Sequence, residues 1–332
     1  MKPLKTTLTV LLFSLLLQAC IYEDEFETSH GSSEKYDWNE RYEKTPTPDS
    51  KLHLYLPTTP NATPSPLILI LPGGCYAYHA KDYEGTNWVP FVLKSGYAAA
   101  VLEYDLPWGN PDSPIDHVNR TISYLKNTPE LNIDPEHIGI MGFSAGGHLA
   151  SLISTQTDKD SRPAFQVLFY PITSMEDKHT NTFTHKVCRE NLLGTSPSSS
   201  LKAKYSSYLN IDPNTPPAFI AVGNKDNTVS VENSYAYIDA LNQNNIKNTI
   251  IIAPKGDHGY IEWSNLTNVR QTLRKWLIDQ LSPEENQTIQ KEVHQTLMNQ
   301  TNTPPRTQCL IRPYKGFSHD ICHDTSHCSP NK

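Results

Sequence analysis

One short segment constrains this chain more than any other. Gly142-Phe143-Ser144-Ala145-Gly146 joins the apolar run at residues 137–141 to the helix-compatible stretch at 145–154. A serine hydroxyl is a poor nucleophile and must be exposed, oriented and deprotonated as it attacks. Gly-x-Ser-x-Gly sets the serine on a sharp strand-to-helix turn, where larger neighbours would collide with the strand and the helix. The helix N-terminus beneath Ser144 also favours negative charge developing there. The segment therefore asks for a buried strand followed at once by a helix.

The rest of the chain supplies the matching alternation. Residues 67–71 form a continuous apolar run closed by Pro72-Gly73-Gly74, which suits a strand buried on both faces. Further strands are expected over residues 97–104, 165–170, 218–222 and 249–253. Helices are expected over 114–125, 232–241 and 265–281, the first with Ile115, Val118, Ile122 and Leu125 on one stripe. Strands alternating with helices imply the α/β class, with a doubly wound, mostly parallel sheet flanked by helices. Residues 174–208 lack clear periodicity and read as an insertion over the carboxyl edge of the sheet, where ligands bind in such folds.

Composition narrows the function classes. With 332 residues, 37% hydrophobic and 9% aromatic, the chain can bury a core large enough for an enzyme. A net charge of −7 without a basic run gives no reason to expect nucleic acid as a partner. Six cysteines are far too few for a disulfide scaffold.

A nucleophilic serine needs a base and an acid, in the chain order Ser…Asp/Glu…His. His258 is the candidate base, because Lys255-Gly256-Asp257-His258-Gly259 follows one expected strand and precedes the last helix. His148, four residues past Ser144 on the same helix, reads as packing. Asp226 follows the strand at 218–222 and is the candidate acid, where a carboxylate can fix the imidazole tautomer. Asp257 is the fallback, awkward through its adjacency to His258. The oxyanion hole is expected from the backbone N–H groups of Ala145, Gly74 and Cys75.

The two ends carry other signals. Lys2 and Lys5 precede an apolar stretch at residues 8–17, too short to span a bilayer of about 30 Å. Residues 1–19 read as a signal peptide. They end in Leu17-Gln18-Ala19-Cys20, which resembles the bacterial lipobox, so Cys20 is the expected lipidation site and acyl chains the expected membrane anchor. The implied location is the outer membrane of a bacterial envelope, on its periplasmic face or at the cell surface. Ile21 is not an Asp, so inner-membrane retention is not signalled. Glu23-Asp24-Glu25 resembles the surface-export signal of Bacteroidetes lipoproteins, or serves as a solvated acidic tether. The expected layout is a tether over 20–50, a catalytic domain over 51–281 and a polar tail over 282–332. That tail holds His319, Cys322, His323, His327 and Cys328. One disulfide among Cys309, Cys322 and Cys328 is expected there in preference to a zinc site. Cysteines other than Cys20 are odd in number, so at least one is free or pairs between chains.

Together, ILILPGGCY, SGYAAAVLEYDLP, HIGIMGFSAGGHLAS, FYPITSM, ENLLG, NTPPAFIAVGNKDNTVSVENS and PKGDHGY resemble one family. It is the α/β-hydrolase esterases typified by bacterial acetylxylan esterases and feruloyl-esterase-like lipoproteins. The resemblance covers roughly residues 52–281. It implies the α/β-hydrolase fold, Ser144 as nucleophile, Asp226 as acid, His258 as base, and neither cofactor nor metal. It also implies hydrolysis of short acyl esters, especially acetyl groups on an oligo- or polysaccharide such as acetylated xylan. The family's Pro-Gly-Gly-Gly-Tyr loop is PGGCY here, and a positive φ at Cys75 would be strained. Around the acid, Lys225 and Ser230 stand where the family often has Asp and Pro. Tyr76, Tyr78, Trp88, Trp108, Tyr260 and Trp263 either stack on pyranose rings or pack the cap. Other readings are a feruloyl, lipid or other carboxylesterase, a serine peptidase of the same fold, or a catalytically silent glycan-binding lipoprotein.

Overall fold

A computed structural model describes residues 42–57, 63–158, 161–259 and 266–281. Among them runs one sheet of β1 (Tyr42–Thr45), β2 (Leu52–Pro57), β3 (Ser65–Leu71), β4 (Ala98–Leu102), β5 (Ile133–Phe143), β6 (Gln166–Phe169), β7 (Ala218–Gly223) and β8 (Asn248–Ala253). Its spatial order is β1-β2-β4-β3-β5-β6-β7-β8. The strands from β4 across to β8 are parallel, and β1 and β2 add an antiparallel edge. Helices flank it: α1 (Lys81–Glu84), α2 (Val89–Lys94), α3 (Asp112–Lys126), α4 (Ser144–Gln156), α5 (Phe183–Leu193), α6 (Ser199–Lys204), α7 (Glu232–Gln243) and α8 (Leu266–Ile278). This is the doubly wound, mostly parallel arrangement of the α/β-hydrolase fold.

The apolar runs explain the layering. Every residue of β3 is buried, because alternate side chains feed both faces of the sheet. Leu67, Leu69 and Leu71 join Ala100 and Leu102 of β4 with Val118, Ile122, Leu149 and Ile153 of α3 and α4 in one core. On the opposite side, Phe143 stacks on Phe169 at 4.8 Å, and Trp88 closes on Phe169 at 4.8 Å. Each large apolar side chain buried this way contributes about 1.5–3 kcal/mol.

The winding reverses at β3. β4 lies on one side of it and β5 on the other, so the crevice of the fold opens between the carboxyl ends of β3 and β5, where Leu71 pairs with Gly142. The loop beginning at Pro72 and the turn at Ser144 therefore leave the sheet side by side.

Two expectations need correction. β1 falls within the stretch read as a tether, so the sheet draws on residues before 51. Residues 174–208, read as aperiodic, contain α5 and α6. The buried stripe of α5 is His185, Cys188, Leu192 and Leu193, and its polar members hide it from an apolar pattern. Cys20 and the signal peptide, Tyr260, Trp263 and the tail cysteines and histidines lie outside the described residues. No described helix is long and apolar enough to cross a membrane.

Candidate active site

β5 ends at Phe143 and α4 begins at Ser144 with nothing between them. Ser144 takes the turn itself, at φ 51°, a conformation costly for a residue with a side chain. The flanking glycines are required by crowding. A Cβ on Gly142 would lie 2.3 Å from the Gly146 carbonyl oxygen, and one on Gly146 would lie 2.1 Å from that of Leu71.

Ser144, Asp226 and His258 are brought together from the carboxyl ends of β5, β7 and β8. His258 Nε2 lies 2.9 Å from Ser144 Oγ, and its Nδ1 lies 2.7 Å from Asp226 Oδ2. A carboxylate only accepts, so Nδ1 carries the ring proton and Nε2 is left to accept from the serine hydroxyl. Asp226 is wholly enclosed, with its side chain 0% exposed. Its Oδ1 accepts the backbone N–H groups of Thr228 and Val229, both at 2.8 Å, which fixes the carboxylate plane. Asp257 is a brace and not the ring's partner: its Oδ1 accepts the N–H groups of Asn227 and His258. Those two bonds, the Asn227 one first, hold its carboxyl below the usual range. Tyr170 lies against the His258 ring, with centroids 4.7 Å apart.

The loop after β3 passes directly beside the serine: a Cβ on Gly73 would lie 3.0 Å from Ser144 Cβ. Gly74, Cys75 and Tyr76 take positive φ in succession, at 124°, 57° and 58°. The strain expected at Cys75 is therefore present, and it extends to Tyr76. Three contacts hold the loop in this form. Cys75 forms a disulfide with Cys188 of α5. Asn191 Nδ2 donates to the Cys75 carbonyl at 2.9 Å. The Tyr76 hydroxyl meets His148 Nδ1 at 2.7 Å. His148 Nε2 faces the Tyr205 carbonyl at 2.8 Å, so it donates there and Nδ1 accepts from Tyr76. Burial drops the His148 pKa to about 4. His148, read as packing, is thus buried as expected and also anchors the loop.

The disulfide was not foreseen from the sequence, and the pairing expected in the tail lies outside the described residues. Its signal was a cysteine at the loop position usually held by glycine, with another inside the same domain. The aromatic expectations divide. Tyr76 and Trp88 are fully buried, so neither reaches a substrate. Trp88 fills the space beneath Phe143, and Tyr76 is occupied with His148. Trp108 is 76% exposed and Tyr78 is 61% exposed. The Trp108 loop meets α5 through Gly109 N–H and the Asn191 carbonyl at 3.1 Å, next to the bond from Asn191 to Cys75.

Comparison with known proteins finds relatives in sequence and in fold. The acetylxylan esterase of Xylanibacter ruminicola is 35% identical over 211 residues, covering 62% of this chain and 42% of that protein. Endo-1,4-beta-xylanase B of Butyrivibrio fibrisolvens is 31% identical over 208 residues, covering 58% of this chain and 32% of that protein. This chain thus spans less than half the length of either relative. Among solved structures, an acetyl ester-xyloside bifunctional hydrolase from Caldicellulosiruptor lactoaceticus superposes with a TM-score of 0.61 at 30% identity, covering 68% of this chain and 86% of that one. The BD-FAE family model matches residues 52–241, a span that takes in Ser144 and Asp226 and stops short of His258. With more than half of its length matched, the chain belongs to the BD-FAE family.

Proposed function

We propose that this protein is a serine carboxylesterase that removes short acyl groups, acetyl above all, from hemicellulose such as acetylated xylan. The observation carrying this reading is the hydrogen-bonded line from Ser144 through His258 to Asp226. In the first step Ser144 Oγ attacks the acyl carbonyl carbon while His258 Nε2 takes the hydroxyl proton. The carbonyl π electrons move onto oxygen, which backbone N–H groups of Gly74, Cys75 and Ala145 receive. Collapse breaks the ester C–O bond, and His258 returns its proton to the departing sugar alkoxide. Water, deprotonated by His258, then attacks the acyl carbon; the bond to Ser144 Oγ breaks, His258 returns the proton to that oxygen, and acetate leaves.

The acetylated sugar is supported by the xylan-related names of the relatives and by exposed Trp108 and Tyr78. Acetate released from native acetylated xylan tests it. Release by the parent, lost in Ser144→Ala, supports the reading. Faster turnover of methyl ferulate, a peptide amide or long-chain esters would replace the substrate, and xylan binding without acetate release would replace the activity.

We further propose that Cys20 is lipidated and tethers the enzyme to the outer membrane. Labelled fatty acid should enter the parent and not Cys20→Ala.

A further inference from the structure

Glu84 was not singled out by any motif, yet its carboxyl group lies beneath the reaction centre. It sits at the end of α1 and is only 7% exposed. Its Oε2 accepts the Gly73 N–H at 2.7 Å, and its Oε1 accepts the Tyr170 hydroxyl at 3.0 Å. Both donors border the candidate site. Gly73 opens the loop beside Ser144, so close that a Cβ there would meet Glu84 Oε2 at 2.5 Å. Tyr170, at φ 38°, lies against the His258 ring. The preceding residue of α1, Tyr83, donates its hydroxyl to the Gly259 carbonyl at 3.3 Å, just beyond His258. One short helix thus touches both the loop expected to hold the oxyanion and the loop carrying the imidazole.

Removing a carboxylate from water is costly unless donors replace the lost hydration. The titratable groups facing it are Tyr170 and His258, with Tyr104 close by from the end of β4. Burial pushes the Glu84 carboxyl above the usual carboxylate range, more than the Gly73 N–H, the Tyr170 hydroxyl and His258 pull it down. With Oε2 accepting the Gly73 N–H and Oε1 the Tyr170 hydroxyl, both oxygens act as a carboxylate's do, and that charge favours the imidazolium that forms on His258 when Ser144 is deprotonated.

We propose that Glu84 is a positioning residue for ester hydrolysis, an inference resting on the roles given above to Ser144 and His258. Its carboxylate sets the loop beside Ser144 through Gly73 and the imidazole through Tyr170, and its charge steadies the protonated ring.

Glu84→Gln tests this with p-nitrophenyl acetate. The amide retains one acceptor and turns a second donor toward a donor, so kcat should fall about 10- to 100-fold with little change in KM. The acid limb of kcat/KM against pH should move to lower pH, since His258 loses a nearby negative charge. Glu84→Asp, which keeps the charge on a shorter arm, should lose kcat and leave that limb in place. A Glu84→Gln protein with the parent's kcat and limb overturns the proposal. So does a loss of rate matched by a loss of molecules that react with a fluorophosphonate at Ser144. Where Glu84→Gln does not fold, Tyr170→Phe removes one of the two donors. A fall in its kcat at unchanged KM supports the proposal, and the parent's kcat overturns it. A parent that hydrolyses no ester removes the functional reading itself, and this inference with it. An active parent beside an unaffected Glu84→Gln removes this inference alone.

Discussion

Cys75 and Cys188 lie 113 residues apart in sequence and are covalently joined, binding the loop beside Ser144 to α5 of the insertion. Cys75 stands at φ 57°, where a side chain costs about 1 kcal/mol or more relative to glycine. The cross-link and the Asn191 bond hold it there. Reduction should lower stability by about 2–4 kcal/mol, a typical figure for a long closed loop. Denaturant unfolding with and without dithiothreitol measures this, and the Cys75→Ala/Cys188→Ala protein should not respond to the reductant. Cys75→Gly/Cys188→Ala should keep more esterase activity than the alanine pair, because glycine takes the positive φ without strain.

Asp226→Asn should reduce kcat about a thousandfold or more while the fold persists. Asp226 accepts three hydrogen bonds, from the His258 ring and from the Thr228 and Val229 N–H groups. An asparagine has one good acceptor oxygen, so its amide must face a donor or push the ring into the wrong tautomer. Asp257→Asn should cost far less, since one oxygen takes both of its backbone donors. Steady-state rates on one small ester, with thermal unfolding of both variants, separate the two aspartates.

Gly146→Ala probes the turn from the packing side. Its new Cβ would meet the carbonyl oxygens of Leu71 and Pro72 at 2.1 and 2.5 Å, backbone atoms that cannot swing away. Overpacking of this kind costs about 1–3 kcal/mol and displaces the backbone bearing Ser144. Gly109→Ala is the control: at φ +85° it meets nothing within 4 Å, so backbone strain is the main cost. Unfolding midpoints and activity should both fall in Gly146→Ala, and activity should survive in Gly109→Ala.

The parts legible in the sequence were those with a local physical signature. Residues 67–71 read as a doubly buried strand from their apolar run, and β3 spans them. Ser144, Asp226 and His258 were singled out because each follows a strand whose pattern marks its carboxyl end, and the structure joins them by two hydrogen bonds. What stayed hidden depends on side chains meeting across the fold. Glu84 looks like any surface acid in KDYEGTNW, and only the tertiary structure sets it against Gly73 and Tyr170. Trp88 and Tyr76 read as loop aromatics because a short helix and a strained turn gave no periodicity to reveal their burial. The edge strand β1 carries the polar sequence YEKT, which looks like tether until β2 is beside it.

His148 and His185 set the acid side of stability. Burial lowers the pKa of His148 to about 4, and burial together with nearby His148 lowers that of His185 to about 3. In the unfolded chain both titrate near about 6.5. Between these values the unfolded state binds more protons than the folded one, so stability rises with pH. Acidification from about pH 6.5 toward pH 4 should then cost up to about 1.4 kcal/mol per pH unit for each histidine. The half-buried carboxylates of Asp49, held down by the Lys51 N–H and then His117, and of Asp105, held down by the Lys51 ammonium, lose their contribution only at still lower pH. Urea unfolding at pH 7.5, 6 and 5 should show the decline. His148→Asn should flatten it by about one proton, as the amide has nothing to titrate. An unchanged slope in that variant would mean that His148 takes its proton inside the folded protein. The bond from Tyr76 that holds the loop beside Ser144 would then break in mild acid, and activity would fail before the fold did.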